Sequence, residues 1–115
     1  MLNKQSLIGN LGNDPETITF ENGNKITKFS IATSKSWKDK NSGEKKTETQ
    51  WHNIVCRSHF ADSAGKYLKK GSKVYLEGET RHRHYETSGV VKYITEVFIS
   101  DMKFLSPSEK TGEFR

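Results

Sequence analysis

Between His59 and Leu68 the apolar residues Phe60, Ala64, Tyr67 and Leu68 recur three to four positions apart, the spacing of one face of a short helix. Everywhere else the apolar residues come in short groups with period-two alternation, as in Phe29, Ile31 and Thr33. Strands are expected over 6–11, 17–20, 25–33 and 47–57 before the helix, and over 74–85 and 91–99 after it. Turn formers separate them: Gly12-Asn13-Asp14-Pro15, Asn22-Gly23, Asn41-Ser42-Gly43 and Thr87-Ser88-Gly89. Ser58 is the expected helix N-cap, and Lys69, Lys70 and Gly71 the basic last turn with its terminating glycine. The fold class is therefore all-β. Five strands or so, with 17–20 only a brief one, fit a five-stranded OB-fold Greek-key barrel with one short helix between strands 3 and 4 and long β-hairpin extensions; SH3-like barrels also have five strands, and the inserted helix favours the OB-fold.

A length of 115 residues suits one domain. It is expected over residues 1–105, with a short, polar, frayed end over 106–115. Only 31% of the residues are hydrophobic, so the core is modest and burial through self-association is a reasonable expectation. Lysine and arginine number 19 against 14 acidic residues, a net charge of +5 that suits a polyanionic partner. The single cysteine, Cys56, cannot form an intrachain disulfide, which fits a reducing compartment. The start, MLNKQSLIGN, carries neither a long apolar stretch nor an Arg-rich presequence, and nothing approaches a membrane span. A soluble cytoplasmic domain with no membrane partner is expected.

Catalytic readings find little support. His52 and Cys56 lie four apart on one strand, roughly 13 Å between Cα atoms, too far for a nucleophile and its base. His82 and His84 could share a strand face, but Arg81 and Arg83 flank them and no third ligand has clear spacing. Gly9-Asn10-Leu11-Gly12 lacks the pattern of a phosphate loop and reads as a strand bend. Neither an enzyme nor a cofactor or metal site is expected.

The aromatic residues point elsewhere. Both tryptophans, Trp37 and Trp51, bracket a lysine-rich polar segment, and Tyr85 sits in HRHYE beside Arg81, Arg83 and His84. Lys35, Lys38 and Lys40 surround Trp37. Placed near the two bases of one hairpin, both indoles can project from the same outer face. Exposed aromatics interleaved with cations are what single-stranded nucleic acid requires, since any base can stack while the cations follow the phosphates. Trp51, in a strand that continues to Ile54 and Val55, reads equally well as a core residue.

Five blocks in order, LIGNLGNDPE (7–16), NGN…FSIATSKSWKDKNSGE (22–44), ETQWHNIV (48–55), AGKYLKKGSKVYLEG (64–78) and RHRHYETSG…YITEV (81–97), resemble the bacterial-type single-stranded DNA-binding protein family. The resemblance runs from about Asn3 to Leu105. It implies a homotetramer of OB-folds that binds single-stranded DNA without sequence preference in replication, recombination and repair. The family's stacking aromatics correspond to Trp37, Trp51 and Tyr85, the last where tryptophan is usual. Its basic contacts correspond to Lys40, Lys69, Lys70, Arg81 and Arg83, and His52 falls at its subunit interface. Arg57 stands where an aromatic is usual and can offer its guanidinium for stacking instead. Family members typically recruit replication and repair proteins through an acidic tail. The sequence here ends at EKTGEFR, as either a truncated core or a tail-less variant would, so replication and repair proteins stay possible partners but recruitment through a tail is not assumed. A protein-docking OB-fold of the primosomal kind is the alternative reading.

Overall fold

The structure, a computed structural model, describes residues 1–106. The end expected over 106–115 lies outside the described residues, apart from Ser106. The elements are β1 (Gln5–Leu11), β2 (Glu16–Thr19), β3 (Lys25–Lys38), β4 (Lys45–Arg57), α1 (His59–Tyr67), β5 (Lys73–Thr87) and β6 (Val90–Phe104). They hydrogen-bond in the order β1-β5-β6-β4-β3-β2, and β1 pairs again with β3 at Asn10↔Ala32 and Leu11↔Ile31. That second pairing closes β1, β3, β4, β6 and β5 into a barrel and leaves β2 as a short flap on β3. The helix falls between the third and fourth of the five barrel strands. This is the OB-fold expected from the order of elements.

Alternation fills the barrel. Phe29 and Ile31 on β3, Ile54 and Cys56 on β4, Val74 and Leu76 on β5, and Val97 and Ile99 on β6 are buried, with Leu11, Ala64 and Leu68 completing the cluster. Each large aliphatic side chain removed from water here contributes about 1.5–3 kcal/mol. Cys56 is part of this filling, and burial pushes its thiol up to about 12, so it stays protonated and inert. The helix plugs one end of the barrel through Ala61 and Ala64, both fully buried. Thr27, also buried, donates its hydroxyl to the Ala61 carbonyl at 2.8 Å. That bond supplies the polar partner a buried hydroxyl needs.

Two details differ from expectation. Ser58 is not a side-chain cap: it takes a positive φ of 56°, and its hydroxyl accepts no hydrogen bond from the first-turn amides of the helix. Its carbonyl instead accepts from the Ala61 amide at 3.1 Å. Lys69 and Lys70 lie beyond the helix, whose last turn carries Lys66, and belong to a following turn ended by Gly71 at φ 93°.

The hairpins outrun the barrel. Alternation in the sequence ends β3 at Thr33, yet the strand pairs with β4 without interruption as far as Lys38↔Lys45. The polar stretch after Thr33 is a regular two-stranded ribbon. Side-chain pairs between Ser34 and Thr49 and between Ser36 and Thr47, each at 3.1 Å, tie its strands together. At its tip Asp39 accepts from the Asn41 amide at 3.1 Å and the Ser42 hydroxyl at 2.9 Å. These bonds hold the Asp39 carboxyl below its usual range. The β5–β6 hairpin is equally long and turns through Ser88 and Gly89, both at positive φ, as a tight two-residue turn demands.

Close strand packing imposes its own requirement on β5. The register shifts between Glu77 and Gly78, and a Cβ on Gly78 would collide with the backbone carbonyl of Phe98. Gly78→Ala should therefore destabilise the barrel by about 1–3 kcal/mol. Urea unfolding at fixed protein concentration should show a lower midpoint with an unchanged slope.

Candidate nucleic-acid interface

The outer surface of β3, β4, β6 and β5 is built by the residues that alternate with the core. On β4 these are Trp51, Asn53, Val55 and Arg57, and the parallel register Asn53↔Glu96 and Val55↔Phe98 extends the face across β6. The antiparallel pairs Arg81↔Glu96, Arg83↔Ile94 and Tyr85↔Lys92 carry it on to β5.

Trp51 is a surface residue, with 62% of its area exposed. Its indole rests over Gly12, where any side chain would overlap the ring. The corner below is pinned by Asn13, whose Oδ1 accepts from the Ser30 amide at 3.0 Å and its hydroxyl at 2.8 Å. The glycine that read as a strand bend is thus also a seat for the tryptophan. Trp37 is exposed as well, but its position differs from expectation. It pairs with Lys46 close to the ribbon tip, not at a base. Trp51 pairs with Ala32, five residues before Trp37, a distance of roughly 17 Å along the ribbon. An odd separation puts the two indoles on opposite faces, because cross-strand partners share a face and successive residues do not. The expectation of a common face is corrected by this register.

Tyr85 is 43% exposed, and the Arg83 guanidinium lies 6.0 Å from its ring centre. Arg83 forms a two-pronged pair with Glu96, Nε to Oε1 at 2.9 Å and Nη2 to Oε2 at 3.3 Å. These hydrogen bonds raise the Arg83 pKa, and its charge is fixed. Arg57 and Arg81 both lie over the ring of Phe98, at 4.9 and 4.3 Å, spacings at which a guanidinium is held against an aromatic face. Phe98 was missed from sequence. Its alternation with the buried Val97 and Ile99 marks it as outward-facing, but only the parallel β4–β6 pairing brings it beneath Arg57.

The remaining basic residues are dispersed. Lys35, Lys38 and Lys40 lie along the ribbon and its turn, all exposed or nearly so, with Lys35 Nζ 3.7 Å from Glu48. Lys38 and Lys45 face one another on the last rung, where like charges repel and an anion would relieve them. Lys69 and Lys70 stand away from the sheet face, across the β1–β2 corner, where the Lys70 amide donates to Asp14 Oδ1 at 2.8 Å. With Lys66 and Lys73 they line a cleft of about 710 Å³ that also holds Tyr67 and Phe104. The structure therefore gathers Trp51, Arg57, Arg81, Arg83 and Tyr85 on one sheet. Trp37 and the ribbon lysines stand on an arm beyond it.

The histidines have ordinary partners. His82 Nδ1 is 2.8 Å from the Thr95 hydroxyl, and the His84 ring lies 6.0 Å from that of Tyr93. Among the described residues no group of three or more His, Cys, Asp or Glu side chains could hold a metal ion, and no helix is long and apolar enough to cross a membrane.

Residues 2–105 match the family described as the single-strand binding protein family. The chain belongs to that family. Among solved structures, a Plasmodium falciparum SSB complex with ssDNA superposes with a TM-score of 0.82 at 40% identity, covering 92% of this chain and 96% of that one. A deletion mutant of the single-stranded DNA binding protein from Thermus aquaticus gives 0.76 at 26% identity, covering 91% of this chain but 51% of that one. This chain thus spans about half the length of that deletion-mutant chain. The three positions aligned by resemblance with the family's stacking aromatics, Trp37, Trp51 and Tyr85, are all exposed.

His52 alternates with Trp51 and points to the other side of β4. It is half-buried, and its Nε2 lies 2.9 Å from the Thr33 hydroxyl. Burial lowers its pKa from the ordinary 6.5. A histidine kept neutral in the fold but free to protonate when unfolded makes the unfolded state bind more protons below pH 6.5. Its contribution to stability is present above that pH and is lost as the pH falls towards the lowered folded value. Urea midpoints measured from pH 7 to pH 5 should fall, and His52→Gln should flatten that part of the profile.

Proposed function

We propose that this protein binds single-stranded DNA irrespective of sequence and shields it during replication, recombination and repair. The observation that carries the reading is the outer sheet face, where exposed Trp51 and Tyr85 share a surface with Arg57, Arg81 and Arg83. Flat π surfaces accept any base, and the cations beside them follow the backbone. The Plasmodium falciparum relative, solved with ssDNA, supports it. Arg57, its guanidinium 4.9 Å from the centre of the Phe98 ring, offers a guanidinium plane where the family's usual aromatic is absent. Trp37 extends the path along the ribbon, and Lys35, Lys38, Lys40, Lys69 and Lys70 neutralise phosphates on either side of the sheet. The protein acts as a binder, not an enzyme.

Stacking is worth about 1–3 kcal/mol per base, so three aromatic platforms supply roughly 3–9 kcal/mol before ordering costs. That is moderate for one subunit. A homotetramer, with His52 near the subunit contact, makes further binding to the same strand intramolecular and raises the affinity by avidity. Duplex DNA hides its base faces and retains only the phosphate contribution, which is the source of selectivity. The site of action is the cytoplasm, at the nucleoid.

Titration with a poly-dT oligonucleotide at two salt concentrations, followed by tryptophan fluorescence with a duplex control, tests this. Deep quenching by the single strand alone is expected. Trp37→Ala should weaken binding at least tenfold. Little quenching and no preference over duplex would favour the protein-docking alternative, and a Trp37→Ala affinity within error of the parent would remove the ribbon from the site.

A further inference from the structure

Among the described residues only two polar side chains are buried, Thr27 and Glu96. The Ala61 carbonyl accounts for Thr27. Glu96 is 3% exposed and lies on the face that carries Arg81, Arg83 and, paired with Arg81, Glu79. Arg83 reaches it from β5 on one side, at 2.9 and 3.3 Å. Lys28 reaches it from β3 on the other, across β4, with Nζ 3.9 Å from Oε2.

We infer that Lys28 and Arg83 form one phosphate-binding site on the outer sheet face, and that Glu96 is the positioning residue that draws them together. With Glu16, which lines the same hollow and pairs with Lys28 across β2 and β3, two cations stand against two carboxylates and the net charge is zero. Their placement matters more than the sum. The Glu96 carboxylate forms the floor, with 4% of its side chain exposed, while Lys28 and Arg83 keep 36% and 49%. An arriving anion therefore meets the two cations first. They border an open hollow of about 290 Å³ that Asn13, Glu16, Ser30 and Asn53 also line. Its neighbours on the sheet are Trp51, two residues from Asn53 on the same face of β4, and Tyr85, whose ring lies near Arg83. Lys28 pairs with Val55, between Trp51 and Arg57 along β4, so a backbone running from a base stacked on Trp51 towards Arg57 would pass the pair. Fixing both side chains beforehand removes the cost of ordering them on binding.

The inference rests on the single-strand reading above, and salt dependence separates the two. Affinity for a poly-dT oligonucleotide would be measured across a range of NaCl concentrations for the parent, K28Q and E96Q. For single strands the slope of log K against log salt falls by about 0.7 for each phosphate the protein no longer neutralises. K28Q should bind more weakly, with a slope smaller by about that amount. E96Q is the sharper test, because removing a negative charge from a DNA-binding face should by simple Coulomb attraction tighten binding. Here it should weaken binding several-fold and reduce the slope, as the two cations separate. Binding by E96Q equal to or tighter than the parent, or a K28Q slope unchanged, would overturn the inference. If E96Q does not fold, as judged by thermal unfolding, K28Q decides alone, since its side chain lies on the surface. A parent that ignores the oligonucleotide altogether overturns the single-strand reading first.

Discussion

Two rungs of backbone pairing, Asn10↔Ala32 and Leu11↔Ile31, decide what this chain can be. Without them the sheet would be open, with β1 at one edge and β2 at the other. With them the five barrel strands close, and inside and outside become separate chemical worlds. Closure needs β1 to approach β3 very tightly, and Gly9 allows it: a Cβ there would run into the Ala32 carbonyl. The next turn of chain, Gly12 to Asp14, then lies where Trp51 can settle on it and where Lys70 can be tied back. The geometry of the barrel seam thus sets the geometry of the surface.

The outer face shows how a small protein can present aromatic and charged groups without losing order. Each platform is braced by something beneath or beside it. Trp51 leans on a glycine corner, Arg57 and Arg81 lie against Phe98, and Arg83 is gripped by Glu96. Long cationic side chains are normally the most mobile groups on a surface, and holding them in place lowers the entropy lost when a ligand arrives. Isolated surface ion pairs contribute little to folding. The Arg83–Glu96 pair differs because its carboxylate is withdrawn from water and must be matched.

Much of this is legible in the chain itself. Period-two alternation locates Phe29 and Ile31 in the core, the 3.6 period locates α1, and the Ser88-Gly89 and Asn22-Gly23 signals locate tight turns. Local patterns are set by neighbours in the chain, so they can be read from it. The ribbon beyond Thr33 escapes because alternation is visible only where one face is buried, and past the barrel rim both faces meet solvent. Ser58 looks like a cap by residue type, but its backbone takes a conformation that aims the hydroxyl elsewhere. The pairing of Phe98 with Arg57, and the meeting of Lys28, Glu96 and Arg83, depend on the parallel contact of β4 with β6. Those strands are separated in sequence by a helix and a third strand, and no local pattern encodes their register.

The ribbon formed by β3 and β4 has a property that follows from parity alone. Lengthening it by one residue in each strand, between the Trp51 and Trp37 rungs, would carry Trp37 only about 3.3 Å further out. It would also rotate Trp37 onto the side that Trp51 occupies. Two residues in each strand would restore the present sidedness at a greater reach. Arm length in such a protein is therefore not a continuous variable. Odd and even increments produce different tracks for a bound polymer, one running along a single side and the other crossing over the edge. The core, which never sees the arm, would be indifferent to the choice.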